Sequence, residues 1–212
     1  METSIDHFYR TSVCCFSGPR PKHLVGYNYA GYKDLVEHIT ELVTVLYTDY
    51  GIRKFISGGA QGFDTCAFWA VDKVKRANPY WDITNAVYVP FPNQCDGWAK
   101  VGAFSSNDYN KMLRLADFVN YVCKIEPAEY RQACLMLDDR NQAMVNDSCV
   151  VIALRNEGDY RKGGTMNCIN YALRNGVDVV YVPHVVGNQQ VIMTGDVKTY
   201  LSTYMPKTLS GA

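Results

Sequence analysis

Four short stretches of this chain combine glycines, cations and rings in a way that suits an anionic, ring-bearing ligand. SGGAQG at 57–62, with Asp64 just behind it, sets small residues where a strand should give way to a helix. Glycines tolerate positive φ and let backbone N–H groups approach a ligand, and the following helix points its own N-terminal donors the same way. RKGGT at 161–165 repeats the device, with Gly163, Gly164 and Thr165 opening a later helix and Lys162 beside them. One such start is common, but two after neighbouring strands would converge on one anion. SGPRPKHL at 17–24 adds Gly18, Arg20 and Lys22, and a guanidinium fits a phosphate bidentately. PFPNQCDGW at 90–98 supplies Phe91, Gln94 and Trp98 as a wall against which a base could stack.

Each stretch also has a plainer account. SGGAQG could be a tight turn with Asp64 in the first turn of its helix, where an acid complements the dipole. An acid there repels a phosphate, so as a ligand-binding group Asp64 suits a ribose hydroxyl. The spacing is not GxGxxG and no Walker lysine follows, which excludes both the standard dinucleotide fingerprint and the P-loop. SGPRPKHL could be a proline turn with solvated charges, and the rings of PFPNQCDGW could pack on the core. Arg140, within LMLDDRNQAMV, could pair with Asp138 or Asp139 at the surface, a contact of small energetic consequence. Its position just before a strand is the first of two reasons to turn it toward a ligand instead; the second is the family motif given below.

The elements that must hold these loops alternate along the chain. Apolar runs at Ser12–Ser17, Lys54–Ser57, Ala86–Pro90, Phe118–Cys123, Cys149–Leu154 and Val177–Val182 read as strands buried on both faces. Between them lie helical patterns. The clearest carries Leu35, Val36, Ile39, Leu42, Val43 and Leu46 on one stripe, with Gly51 where a left-handed cap belongs. Others run through Cys66–Val74, from about Asn107 to Ala116, from about Tyr130 to Val145, and from Thr165 to Asn175. This order predicts an α/β, Rossmann-like, doubly wound and mostly parallel sheet with helices on both faces. One domain over 1–212 is expected, its core at about 12–183, with an unplaced C-terminal appendage at about 187–212. Ligands in such a sheet sit outside the carboxyl ends of the strands, where all four stretches fall.

The chain has 212 residues, 48% of them hydrophobic and 20% charged, with formal net charge zero, so no overall field draws nucleic acid or an anionic membrane. The N-terminal METSIDHFYR has no signal-peptide character and no apolar run approaches a membrane span. The eight cysteines show no CxxC or CxxH spacing and the four histidines are scattered, so no metal site is expected and a reducing cytoplasm is.

Together SGPRP, SGGAQGFDTCA, PFPNQ with Trp98, Asp117, RNQAMVNDS at 140–148 and GGT at 163–165 resemble, in order and spacing, the YpsA-like branch of the SLOG superfamily. That superfamily includes the LOG-type phosphoribohydrolases and the DprA DNA-processing proteins. The resemblance covers roughly 12 to 183 and implies a Rossmann-like pocket for nucleotides or nucleotide-derived ligands. By position it assigns Ser57, Gly58, Gly59, Gln61, Gly62, Asp64, Gly163, Gly164 and Thr165 to the two glycine-rich loops. Arg20 falls in the first-strand loop, and Arg140 and Asn141 match the family's Arg-Asn pair. Two departures bear on activity. KGGTMNCINYA lacks the PGGxGTxxE glutamate of the hydrolases, and cleaving an N-glycosidic bond requires a carboxylate. Pro19 also stands where the YpsA-like branch commonly has histidine. Asp64, Glu126 and Glu129 remain as candidate catalytic carboxylates.

The expected function is binding of ADP-ribose, cyclic ADP-ribose or a related signalling nucleotide, by a sensor or sequestering protein in a phage or bacterial defence context. A nucleoside-phosphate N-glycosidase is the alternative. The expected partners are a small phosphorylated nucleotide ligand and a second copy in a homodimer, with no nucleic acid and no further cofactor.

Overall fold

The computed structural model describes residues 11–155 and 163–205. Six strands form one sheet: β1 (Val13–Ser17), β2 (Lys54–Ser57), β3 (Thr84–Val89), β4 (Phe118–Tyr121), β5 (Val150–Ala153) and β6 (Asp178–Tyr181). Their order is β4-β3-β2-β1-β5-β6 and every pair is parallel. Helices α1 (Lys33–Tyr50), α2 (Phe63–Ala77), α3 (Ser106–Leu115), α4 (Tyr130–Asn146) and α5 (Gly164–Arg174) make the crossovers. The expected α/β doubly wound sheet is what the chain forms, with strand ends shifted by one or two residues.

The register explains the continuous apolar runs. Cys14 sits beside Phe55, and Cys15 beside Ile56. The first pair packs under α1 and α2 with Leu35, Ile39 and Leu42, while the second faces α4 and α5 with Met144, Ile169 and Ala172. Both faces of the central strands are therefore dry, and each fully buried aliphatic side chain contributes about 1.5–3 kcal/mol. Helix α1 ends at Gly51, whose φ of 67° lets its amide return to the Leu46 carbonyl, the expected left-handed cap.

The segment after β6 continues into the fold. An antiparallel hairpin, β7 (His184–Gly187) with β8 (Gln190–Met193), leads to helix α6 (Val197–Tyr204). Val191, Val197, Tyr200 and Leu201 join the same core cluster as Leu35. The Met193 amide donates to Asp34 at 2.8 Å, and His38 Nε2 lies 3.1 Å from the Tyr200 hydroxyl. Sequence left this segment unplaced because its apolar residues match no sheet period; their partner is the outer face of α1.

Candidate functional site

Ser17 at the end of β1 pairs with Ala153 at the end of β5. From there the chain leaves β1 toward the face carrying α1 and leaves β5 toward the face carrying α5. A cleft of about 710 Å³ opens at this point, lined by Ser17–Arg20 after β1 and by Leu154, Arg155 and Gly163–Asn167 at the β5 and α5 side, the place where doubly wound sheets take ligands. Gly18, Arg20, Gln61, Asp64, Arg140, Asn141, Gly163, Gly164 and Thr165 all line it. The structure thus brings together residues spread over almost 150 positions.

At the inner end of the cleft sits a charged cluster. Arg140 reaches up from α4, 5% exposed, and its Nη1 lies 3.5 Å from Asp64 Oδ2 on α2. Arg140 Nε and Nη1 make no hydrogen bond among the described residues, although an unmet buried charged donor is costly. Arg20 stands near both; burial and the Arg140 charge lower its pKa, against the pull of Asp64 and Tyr27. Burial raises the Asp64 pKa, opposed by Arg140, Arg20 and the backbone of Ala60 and Gly58. Two guanidiniums face one carboxyl, so these three groups carry net charge +1 when Asp64 is ionised and +2 when it is protonated. Arg140 is therefore no surface ion-pair partner of Asp138 or Asp139.

The two glycine-rich loops serve different ends. A Cβ on Gly58 would fall 1.4 Å from Arg140 Nη1 and 2.7 Å from Asp64 Oδ2, so this glycine makes room for the cluster. Gly62, at φ 94°, would meet the Pro19 carbonyl at 2.6 Å, and Gly59, at φ 64°, would meet Tyr109 at 3.1 Å. The Phe63 amide, first in α2, donates to that Pro19 carbonyl at 3.3 Å. The space freed by SGGAQG is filled by the protein itself. Gly58, Gly59, Gly62 and Ser57 do not line the cleft, and the Ser57 hydroxyl is buried without a partner. The expected phosphate approach to this helix start is thereby corrected: Asp64 and the Pro19 carbonyl hold its place.

At the other loop no atom of the described residues lies within 4 Å of a Cβ on Gly163 or Gly164. The first amides of α5 have no intrahelical acceptor, and Gly164, Thr165, Met166 and Asn167, which carry them, line the cleft. Asn141 Nδ2 donates to the Gly164 carbonyl at 3.2 Å and holds this loop in position. Lys162 lies outside the described residues.

The remaining sequence candidates stand elsewhere. Phe91 and Gln94 are buried, with the Gln94 amide donating to the Gly58 carbonyl at 3.3 Å and accepting from the Tyr109 hydroxyl at 3.1 Å. Trp98 packs edge-on against Tyr109, ring centres 5.3 Å apart. The PFPNQ loop therefore braces the glycine turn from behind, and Phe91, Gln94 and Trp98 are corrected from ligand wall to support: none of them lines the cleft, Phe91 and Gln94 are buried, and Trp98 packs on the apolar cluster that includes Tyr109 and Met112 of α3. Glu126 and Glu129 are exposed and neither lines the cleft. Gln61 reaches the cleft, with its amide donating to the Phe104 carbonyl at 2.7 Å. Asp117 pairs with Lys75 and accepts the Asn85 amide at 2.7 Å, at the opposite, amino end of the sheet. Asp147 accepts from the Tyr88 hydroxyl at that same end.

Sequence reasoning missed one wall of the cleft. Tyr130, Cys134, Leu137 and Asp138 of α4 line it beside the expected Asn141, together with Tyr27 and Asn167. The spacing 130, 134, 137, 141 was a readable helical stripe, but its mixture of ring, thiol, leucine and amide resembles neither a core face nor a solvated one.

The family model YpsA, described as the YspA SLOG family, matches residues 14–183. An uncharacterized SPbeta prophage-derived protein, YoqJ of Bacillus subtilis (strain 168), is 31% identical over 146 residues, which is 65% of this chain and 80% of that protein. The X-ray structure of DNA processing protein A (DprA) from Streptococcus pneumoniae superposes with a TM-score of 0.56 at 14% identity, over 96% of this chain and 65% of its own. This chain therefore spans less than two thirds of that structure. DprA from Helicobacter pylori, described for its single-stranded DNA binding mode, follows at a TM-score of 0.49 and 16% identity, over 95% of this chain and 75% of its own. At these identities the likeness to DprA is one of fold. No helix among the described residues is long and apolar enough to cross a membrane.

Proposed function

This chain belongs to the YspA SLOG family, and on that premise we propose that its cleft binds a phosphorylated, nucleotide-derived ligand such as ADP-ribose, cyclic ADP-ribose or a related signalling nucleotide. Bound there, the ligand is sensed or sequestered. One observation carries the reading: Arg140, buried and short of hydrogen-bond acceptors among the described residues, lines the cleft with Arg20 and the first residues of α5. A phosphate supplies what that cluster lacks, namely negative charge and several acceptor oxygens. The neutral chain as a whole does not draw polyanions, so the attraction is local to the cleft.

Calorimetric titration with ADP-ribose tests this. Arg140→Met is expected to lower the affinity at least tenfold; removing one partner of the buried Arg140–Asp64 pair also costs stability, so the titration is run well below the melting transition of the variant. Unchanged affinity in that variant sinks the site. Single-stranded DNA serves as the second titrant, since DprA of Helicobacter pylori is described as binding it; DNA bound more tightly than any nucleotide would overturn the small-ligand reading. The prophage origin of YoqJ motivates a phage context, in host cytoplasm, for this chain also.

A second reading rests on Asp64, a carboxyl inside the cleft whose pKa burial raises. That is the environment of a general acid in N-glycosidic cleavage. Incubation with nucleoside monophosphates followed by chromatography decides it: base released by the native protein and not by Asp64→Asn would make the protein a hydrolase. Native mass spectrometry of the purified protein reports copurified ligand and subunit number together.

A further inference from the structure

The cleft changes character along its length. Its inner end holds Arg20, Arg140, Asp64 and the α5 amides, while its outer wall is the α4 stripe that begins at Tyr130. Going inward, that stripe presents a phenol ring, the Cys134 thiol and Leu137, and then turns polar at Asp138 and Asn141. At a rise of 1.5 Å per residue, the eleven steps from Tyr130 to Asn141 cover about 16 Å. Inorganic phosphate or a sugar phosphate would fill only the inner part of that distance. A base, a sugar and two phosphates laid end to end match the whole of it.

Tyr130 is 85% exposed, although it lines the cleft and opens a helix whose next turn on this face is apolar. Tyr27, the other exposed tyrosine of the cleft, belongs to the connection after β1 and interacts electrostatically with Arg20, so it sits toward the anion end. Asp138 lies between the two ends. Its carboxylate accepts the Asn167 amide at 3.0 and 3.3 Å and retains lone pairs for further donors. A carboxylate in mid-cleft repels phosphate and accepts from sugar hydroxyls, which places the sugar there and the phosphates further in.

We propose that Tyr130 is the stacking platform for the base of a nucleoside diphosphate-type ligand, whose ribose lies by Asp138 and whose pyrophosphate meets Arg20, Arg140 and α5. The inference rests on the nucleotide reading given above and assigns the base end of that ligand. Stacking on an open ring reads the π-face and not the edge of a base, so ADP and GDP bind with similar affinity.

The probes are ADP and inorganic pyrophosphate, titrated calorimetrically into the native chain, Tyr130→Ala, Tyr130→Phe and Arg140→Met. Tyr130→Ala is expected to weaken ADP about tenfold or more while pyrophosphate stays within about twofold, and Tyr130→Phe keeps native affinity for both. Arg140→Met weakens both probes. Native ADP affinity in Tyr130→Ala, with Arg140→Met still impaired, overturns the platform and leaves the nucleotide reading standing. An equal loss of ADP and pyrophosphate in Tyr130→Ala also overturns it, because a stacking residue does not act on pyrophosphate. Failure of the native chain to bind either probe overturns both.

Discussion

Gly58→Ala puts a methyl group where Arg140 is. The added carbon would lie 1.4 Å from Arg140 Nη1, 2.3 Å from Cζ and 2.7 Å from Asp64 Oδ2, and ordinary contact begins near 3.4 Å. The guanidinium must therefore retreat by about 2 Å, the difference between 1.4 and 3.4 Å. At 3.5 Å and an effective dielectric of about 20, the Arg140–Asp64 attraction is about 5 kcal/mol. Separating a buried pair in place costs about 3–5 kcal/mol. Here the open cleft gives the guanidinium a wet refuge that restores some hydration, so the expected loss falls at the lower end, about 3 kcal/mol. For a chain of this length that lowers the melting temperature by about 6–12 °C.

The displaced arginine also stands in the anion site, so affinity for ADP-ribose disappears with the stability. Gly164→Ala is the control. Its Cβ meets nothing within 4 Å, and alanine favours a helix start over glycine, so stability holds or rises while the methyl over the α5 amides weakens the ligand. Urea denaturation and calorimetry on the two variants check this pair. A Gly58→Ala protein within 1 kcal/mol of native stability that binds normally would refute the argument that this glycine exists to seat Arg140.

Binding of sulfate, whose charge is constant above pH 4, strengthens as pH falls through the Asp64 titration. Burial moves that titration above the value of about 3.9 for a free aspartate, and protonation takes the cluster from net +1 to +2. Asp64→Asn loses this part of the pH dependence; equal slopes in the two proteins would refute it. His38, whose pKa burial lowers against the pull of Glu41, Asp34 and Asp196, gives the opposite sign of linkage. Its contribution to stability is complete above about pH 6.5 and is lost as pH falls toward the depressed folded value, so stability measured by denaturant declines from pH 7 to 5, and less steeply in His38→Gln. Ser105 caps α3 through the Asp108 amide at 3.1 Å, and Ser105→Ala costs about 1 kcal/mol by denaturation with ligand affinity unchanged, since α3 does not line the cleft.

What the sequence determined by itself is the periodic part of this protein. Leu35, Ile39, Leu42 and Leu46 could only be one buried helix stripe, and runs such as CVVIAL only a strand dry on both faces, because burial enforces those periods locally. Parallel strands then put every loop that follows a strand at one rim, so Arg20, Asp64 and Gly163–Thr165 could be assigned to one site before any coordinates, and the family resemblance added Arg140. Tertiary structure decided what each of them does there. Glycine in a sequence says that a side chain is absent and leaves open what fills the space. At Gly58 and Gly62 the protein fills it with Arg140 and Pro19, and at Gly163 and Gly164 it leaves it open. Phe91 and Trp98 were readable as rings near a loop, yet Phe91 is buried and the surface of α3 claims Trp98 for packing. Tyr130 gave no sign, because a lone tyrosine opening a helix is ordinary until the ends of β1 and β5, far apart in the chain, open a cleft beside it. Charge balance was the last such decision: two guanidiniums against one carboxyl is a property of three side chains from three elements, visible only once the sheet has brought them within reach.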